Sequence, residues 1–524
     1  MLLSNGFFNK NIEMKKKLIA IICLAAFVAI SPACKKDFLD QNNPNAVTVD
    51  DNFKSPNDIL LAVNGIYQSL RSGNNIGESS DLWTDQRSDD TGTNDNQSNA
   101  GEPFQFNNFS LIASNTYLKS HWVSLYATVT RANVVLSHID AVSFTDPNLK
   151  LQYTAEAKFL RAMMYFHLVR LWGDVPLVTK QLASTEVAAA TFREKQATVY
   201  AQIIKDLTDV INNSPLPNLQ NGANIGRVSK AAANVLLGQV YLTMATTLDQ
   251  ANRQTNLTNA KTYLMNAYNM RTFGELKSIP YTDVFDVTKK STCPELIFQI
   301  VNKQGDISYS SSIAANNQAK GETINSQKAS SGAGYNVTHD LINEYETGDP
   351  RKDFSVKYAN DPIVKDWFVT KFRDASDAAG KLGYGGNDWV LMRYADVILM
   401  LAEVNNDLGD NATAIQFLDM VRARAGVPAY AVAMTNSAYS TSFPTLKLAI
   451  LHERRVELAF EHHRWFDLLR AFTTDELVTY FKSKAQANFG SALLSNFSTK
   501  DRYYPIPFDE VKLDPLKMYQ NPGY

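Results

Sequence analysis

Residues 451–470 read LHERRVELAFEHHRWFDLLR, a dense run of side chains that could do chemistry. His452 and Glu453 would open the helix motif of zinc proteases. That motif needs a second histidine four residues after the first, and position 456 is valine, so the metal reading fails on spacing. Arg454, Glu457, Glu461 and Arg464 recur at spacings of 3, 4 and 3, which on one helix forms a stripe continued by Ile450 and Leu468. Charges set in an apolar stripe must be paired when buried, so these four are expected to form structural ion pairs. A surface hydrolase would need carboxylates on both sides of the scissile bond. Glu457 and Glu461, one turn apart, lie on one side of any substrate.

Other catalytic signatures are missing from the sequence. Gly383-Tyr384-Gly385-Gly386 follows no strand and reads as a turn, not a phosphate loop. There is no Gly-x-Ser-x-Gly elbow, and Cys293 precedes Pro294 with no histidine nearby in sequence. Asp81, Asp85, Asp89, Asp90 and Asp95 could offer oxygen ligands to calcium. Their spacing misses the twelve-residue loop and Gly92 is misplaced, so a solvated loop is expected. No cofactor, metal or catalytic residue is therefore assigned.

Binding chemistry is better represented. Sugars present apolar C–H faces and hydroxyl rims, which suit aromatic platforms flanked by Asp, Asn and Arg. Trp83, Asp85, Arg87, Asp89, Asn94 and Phe104 fall in one polar segment, along with Phe106 and Phe109, and Tyr309 and Tyr335 in another. Eight of these, Trp83, Asp85, Arg87, Asp89, Asn94, Phe104, Tyr309 and Tyr335, are the candidate ligand contacts, and Trp83→Ala is expected to weaken binding without unfolding the chain. The competing reading is that these rings pin loops to a scaffold.

The scaffold that must position them is helical. Periodicity and start signals predict helices at 56–71, 116–140, 151–172, 195–212, 229–246, 258–270, 388–407, 411–425 and 445–470. Strands are expected at 295–301 and 364–370. Segments 72–115 and 302–340 lack helical period and are expected to be long loops laid across the scaffold. A tetratricopeptide-like pattern is traced by Leu237-Gly238-Gln239-Val240-Tyr241 with Ala260, Leu264 and Ala267. Leu401-Ala402 with Ala414, Leu418 and Val421 gives a second trace. The expected fold is mainly α, a degenerate helix-pair scaffold with a few short strands, in one domain over 56–524.

Residues 14–34, MKKKLIAIICLAAFVAISPAC, carry three lysines, an apolar stretch from Leu18 to Ile30, and small residues before Cys34. That pattern predicts a lipoprotein signal peptide over 1–33, with Met14 as an alternative start. Cys34 is the expected lipidation site and 34–55 the tether. Two or more acyl chains anchor stably, so membrane contact is expected through lipid alone. Beyond Cys34 only Cys293 remains, which excludes an internal disulfide or a cysteine metal cluster in the body. With 51 basic against 53 acidic residues and no long basic run in the body, nucleic-acid binding is not expected.

In order along the chain come Asp37-Phe38-Leu39-Asp40, Asn64-Gly65-Ile66-Tyr67 and Arg131-Ala132-Asn133. Glu156-Ala157-Lys158-Phe159-Leu160-Arg161-Ala162 leads to Trp172-Gly173-Asp174-Val175-Pro176. Then follow Arg393-Tyr394-Ala395-Asp396, Val421-Arg422-Ala423-Arg424-Ala425-Gly426, Glu453-Arg454-Arg455-Val456-Glu457-Leu458, Tyr504-Pro505-Ile506-Pro507 and Gln520-Asn521-Pro522-Gly523-Tyr524. This series resembles the SusD/RagB family of nutrient-binding outer-membrane lipoproteins. The resemblance implies about four tetratricopeptide-like units. It also implies a non-enzymatic, cell-surface role: capturing an oligosaccharide over a SusC-like TonB-dependent barrel and releasing it into the pore. A peptide-binding member of the same family, a structural lid and a surface hydrolase are the alternatives. The shared motifs are scaffold motifs, so the ligand contacts rest on the aromatic argument alone.

Overall fold

The computed structural model describes residues 52–93, 97–313, 336–359, 365–374, 376–382 and 384–524. The export segment, Cys34, Asn94 and Tyr335 lie outside these residues.

Helix α1 (Pro56–Leu70) begins at a capping box between Ser55 and Asp58, with Pro56 in the first turn. Asn115 caps α2 (Thr116–His138), and Asp146 caps α3 (Pro147–Trp172). Helix α3 buries residues on nearly every side, because α1, α2 and α4 (Gln196–Asn213) all pack on it. Helices α5 (Lys230–Thr247) and α6 (Arg253–Asn269) form the most extensively packed pair. A Cβ on Gly238 would lie 2.7 Å from Leu264 Cγ, so the missing side chain permits that approach. Tyr241 and Tyr263 stack beside it at 5.8 Å, with rings inclined by 4°. Helices α7 (Tyr394–Asp407) and α8 (Asn411–Ala425) continue the array, and each helix from α2 to α8 packs on its predecessor. The fold is mainly α.

The expected helix over 445–470 is two helices, α9 (Leu446–Glu457) and α10 (Arg464–Ala471), followed by α11 (Thr474–Ser483). Between α9 and α10, Phe460 and His462 take φ of 66° and 65°. The chain can leave the helix because its freed carbonyls are recaptured. Lys371 Nζ donates to Glu457 O at 3.2 Å and Ala459 O at 2.8 Å, and Arg393 Nη2 donates to Glu457 O at 2.9 Å. The one-helix stripe therefore does not exist; Glu461 and Arg464 lie past its break.

Short strands complete the body. They are β1 (Thr91–Gly92), β2 (Leu296–Ile300), β3 (Asn336–Val337), β4 (Val356–Tyr358), β5 (Trp367–Val369) and β6 (Trp389–Arg393). The antiparallel order β1-β3-β5-β4 forms one sheet, and β2 pairs with β6 in another. Strand β6 occupies the start of the expected helix at 388–407. Its apolar run satisfies its backbone on β2, and helix begins only at Tyr394. Segment 72–115 also departs from expectation. Residues 80–92 are all buried, folded into short turns of helix and strand β1, and do not lie across the surface. Among the described residues, no helix is long and apolar enough to cross a membrane.

Candidate functional site

The β2–β6 pair links an ionic core to an exposed face. At one end of the register Leu296 faces Arg393; at the other Ile300 faces Trp389. Arg393 is almost fully buried. It donates from Nε and Nη2 to Glu461, each at 2.7 Å, and from Nη1 to Glu295 at 2.8 Å and Glu457 at 2.6 Å. Glu457 also pairs with Arg351 and Arg424. Burial pushes the Glu457 carboxyl up, but the Arg424, Arg393 and Arg351 guanidiniums outweigh it and hold it well below the carboxylate range. Glu461 reaches about 2 by the same balance, with burial opposed by Arg393 and Lys371.

From the far end of these strands run two loops, 301–313 and 384–388, zipped together by Ser311 and Gly385. Ser311 N donates to Gly385 O at 2.7 Å, and Gly385 N returns a bond at 2.9 Å. Gly386 packs where a Cβ would stand 2.7 Å from Gln304 Cβ, so Gly385 and Gly386 make a close loop junction. Asp388 fixes the base, accepting from Lys290, Asn302 and Gln299, each at 2.8 Å. Above it a turn through Gly305 (φ 74°) carries Tyr309, whose carbonyl accepts from Lys303 N at 2.7 Å.

Tyr309 is 47% exposed and Tyr384 38%. The Arg71 guanidinium lies 5.5 Å from the Tyr309 ring centroid and donates to Val301 O at 2.7 Å. Glu78 accepts from Ser311 Oγ and, at 2.8 Å, from both the backbone amide and hydroxyl of Ser312, which ties the loop to the turn after α1. Half-exposed rings set among hydroxyls, an amide-rich loop and a guanidinium can stack on sugar C–H faces and bond hydroxyls. Arg71, Glu78 and Tyr384 are not among the contacts expected from sequence, where Tyr384 figures only in a turn. Arg71 ends a helix and Glu78 sits in a polar stretch, so neither has a periodic signature.

The remaining expected contacts lie elsewhere. Trp83 is 2% exposed, with its ring stacked on His121 at 4.2 Å. Arg87, fully buried, pairs with Asp501 at 3.3 Å and packs over Phe109 and Tyr504. Asp89 receives Arg464 at 2.8 and 3.1 Å and also meets Arg455 and Lys484. Asp85 is buried beside Asp90 and Asp81. Burial, then those two carboxylates, pushes its carboxyl well above the usual range. These residues form no surface platform: they join segment 80–92 to α9, α10 and the C-terminal stretch. The acidic run is no solvated loop either, since Asp81, Asp85, Asp89 and Asp90 are all buried. Phe104 is half-buried against the core. Of the eight candidates, Tyr309 alone is placed by the described residues on an exposed face; Asn94 and Tyr335 fall outside them.

Arg454 pairs with Asp467 and Asp396, Arg464 with Asp89, and Glu457 and Glu461 share Arg393, so all four members of the sequence-derived set carry buried ion pairs, none of them to another member. Glu346, His452 and Glu453 come close enough to suggest a metal. Arg422 already bonds both carboxylates at 2.8 Å, which supplies the positive charge a cation would bring.

A family model described as "SusD family" matches residues 357–524, and one described as "Starch-binding associating with outer membrane" matches residues 37–242. The chain is 26% identical to "SusD-like protein P2" of Formosa agariphila, over 98% of this chain and 100% of that one. It is 25% identical to a "SusD-like protein" of Bacteroides ovatus, over 98% and 92% respectively. A solved "Laminarin binding SusD-like protein" superposes with a TM-score of 0.71 at 25% identity, covering 90% of this chain and all of that one. "Surface glycan-binding protein A from Bacteroides thetaiotaomicron in complex with laminarihexaose" shares the fold, with a TM-score of 0.72 at 20% identity over 89% of this chain and 100% of that one. Two family models at opposite ends of the chain, full-length relatives and a common fold agree with the motif series, and the chain belongs to the SusD/RagB family.

Proposed function

We propose that this protein binds neutral oligosaccharides at the cell surface and passes them, unmodified, to a SusC-like TonB-dependent barrel. Acyl chains on Cys34 hold it to the outer membrane. The observation that carries the reading is the Tyr309 ring, half exposed on a loop fixed by Glu78 and zipped through Ser311 and Gly385 to the loop that carries Tyr384. The full-length likeness to a laminarin-binding protein supports the same ligand class. Binding without turnover fits the chemistry of the ionic core. Glu453, Glu457 and Glu461 are buried and bonded to arginines, so none is placed to protonate a leaving group.

The test is calorimetry of the chain truncated after Cys34 against plant, microbial and host glycans, with casein peptides included and products assayed. Saturable glycan binding without product formation is expected. Binding to peptides alone would move the protein to the peptide-binding reading. Glycan cleavage would make it a hydrolase.

A further inference from the structure

A concave site shares no lining residue with the Tyr309 loops. The segment after the short helix His339–Glu344, the short helix Ser437–Ser442, α9 and α11 enclose a cleft of about 500 Å³, within the range of small-molecule sites. Its walls are rich in rings. Phe443 stacks on His452 at 4.0 Å, with an interplanar angle of 25°, and Tyr439 packs edge-on against both. Tyr480 also lines the cleft.

The charged groups of this cleft are already committed. Glu344 bonds Arg455 and His452; Glu346 bonds Arg422 and His452. Arg464 pairs with Asp89, and Lys484 with Asp89 and Asp340. An ionic ligand would meet no uncompensated counter-charge. The Tyr345 and Tyr439 hydroxyls and Arg464 Nη1 have no hydrogen-bond partner but are buried in the walls, whereas the polar lining residues that stand exposed, Asn343, Thr347, Asn436 and Ser442, are all uncharged. Rings for stacking together with uncharged hydrogen-bonding groups match a short neutral saccharide.

We infer that this cleft is a second saccharide-binding site, independent of the Tyr309 face. The inference rests on the glycan-binding reading. A protein with two such sites can hold one chain while another segment or a second chain is engaged, which raises local ligand concentration.

Calorimetric titration of the chain truncated after Cys34 with laminarihexaose, cellohexaose and maltohexaose tests it. Wild type is compared with Phe443→Ala, Tyr439→Phe and Tyr309→Ala. At least one hexasaccharide is expected to fill two sites on wild type. Phe443→Ala should weaken one by about tenfold, and Tyr309→Ala should leave that one intact. Tyr439→Phe keeps the ring and serves as the variant least able to disturb folding. If Tyr309→Ala abolishes all saccharide binding while Phe443→Ala and Tyr439→Phe bind as wild type, the second site is overturned and the glycan-binding reading stands. If the cleft variants lose binding of casein peptides instead, the saccharide assignment is overturned. Binding of none of the three hexasaccharides to wild type overturns the cleft inference outright.

Discussion

Arg393 and Glu461 meet in a two-point ion pair, Nε to Oε2 and Nη2 to Oε1, both at 2.7 Å, with neither side chain exposed by more than 1%. One partner ends strand β6 and the other lies in the break between α9 and α10. The same guanidinium reaches Glu295 and Glu457. The strand pair that carries the exposed loops is thus fastened to the helical body at its far end.

Removing that fastening exposes the cost of buried charge. Arg393→Met leaves Glu295, Glu457 and Glu461 crowded with less compensation. It is expected to destabilise the fold by about 3–5 kcal/mol. Denaturant unfolding monitored by circular dichroism checks this. A loss below about 1 kcal/mol would show that the network contributes little.

Trp83 sits inside the fold, stacked on His121 and donating no hydrogen bond from Nε1. Trp83→Ala is therefore expected to act on stability, by about 3–5 kcal/mol, through the cavity it leaves. This reverses the expectation drawn from sequence. A Trp83→Ala protein with wild-type melting and weakened glycan binding would restore the sequence reading.

Gly238→Ala sets two effects against each other. Alanine favours helix by about 1 kcal/mol, whereas its Cβ would press on Leu264 Cγ and Cδ2 at 2.7 and 2.9 Å, with overpacking costing about 1–3 kcal/mol. Net destabilisation of about 1 kcal/mol is expected, read as a lower melting temperature. Adding Leu264→Ala should cost less in this background than in wild type.

His121, His167 and His462 line one internal cavity of about 70 Å³. Burial holds His121 at about 4, and burial likewise holds His167 and His462 well below the usual histidine value. The unfolded chain takes up these protons first, near pH 6.5. Their contribution to stability is intact above about 6.5 and is lost as pH falls toward 4. Asp90, raised to about 6 by burial, works in the opposite sense, so the test is a difference. Relative to wild type, His121→Phe should gain about 3 kcal/mol between pH 6.5 and 4, read from unfolding at each pH. Parallel pH profiles would contradict it.

The starts at Pro56 and Thr116 were legible because caps are local, Ser55 with Asp58 and Asn115 each sitting at the first turn they satisfy, whereas the start of α3 behind Asp146 lies four residues before the expected 151. Strand β6 was hidden because its four-residue apolar run, Trp389 to Met392, before a helix has the same pattern as more helix. The break after Glu457 was hidden for another reason. Its carbonyls are capped by Lys371 and Arg393, which lie 86 and 64 positions away, and no glycine or proline marks the turn. The same distance misled the site reading. Asp89 and Arg87 look like solvated loop residues until Arg464 and Asp501, 375 and 414 positions away, close on them. Tyr309 was legible as an aromatic in a polar stretch, and its neighbours Arg71 and Glu78 were not.

Affinity of Tyr309→Ala for the tightest ligand of a neutral glycan panel decides whether the glycan sits on the Tyr309 face. Tyr309 is exposed, so the variant should melt as wild type does and bind about tenfold more weakly. Undiminished affinity in the folded variant would contradict the placement of the glycan on this face.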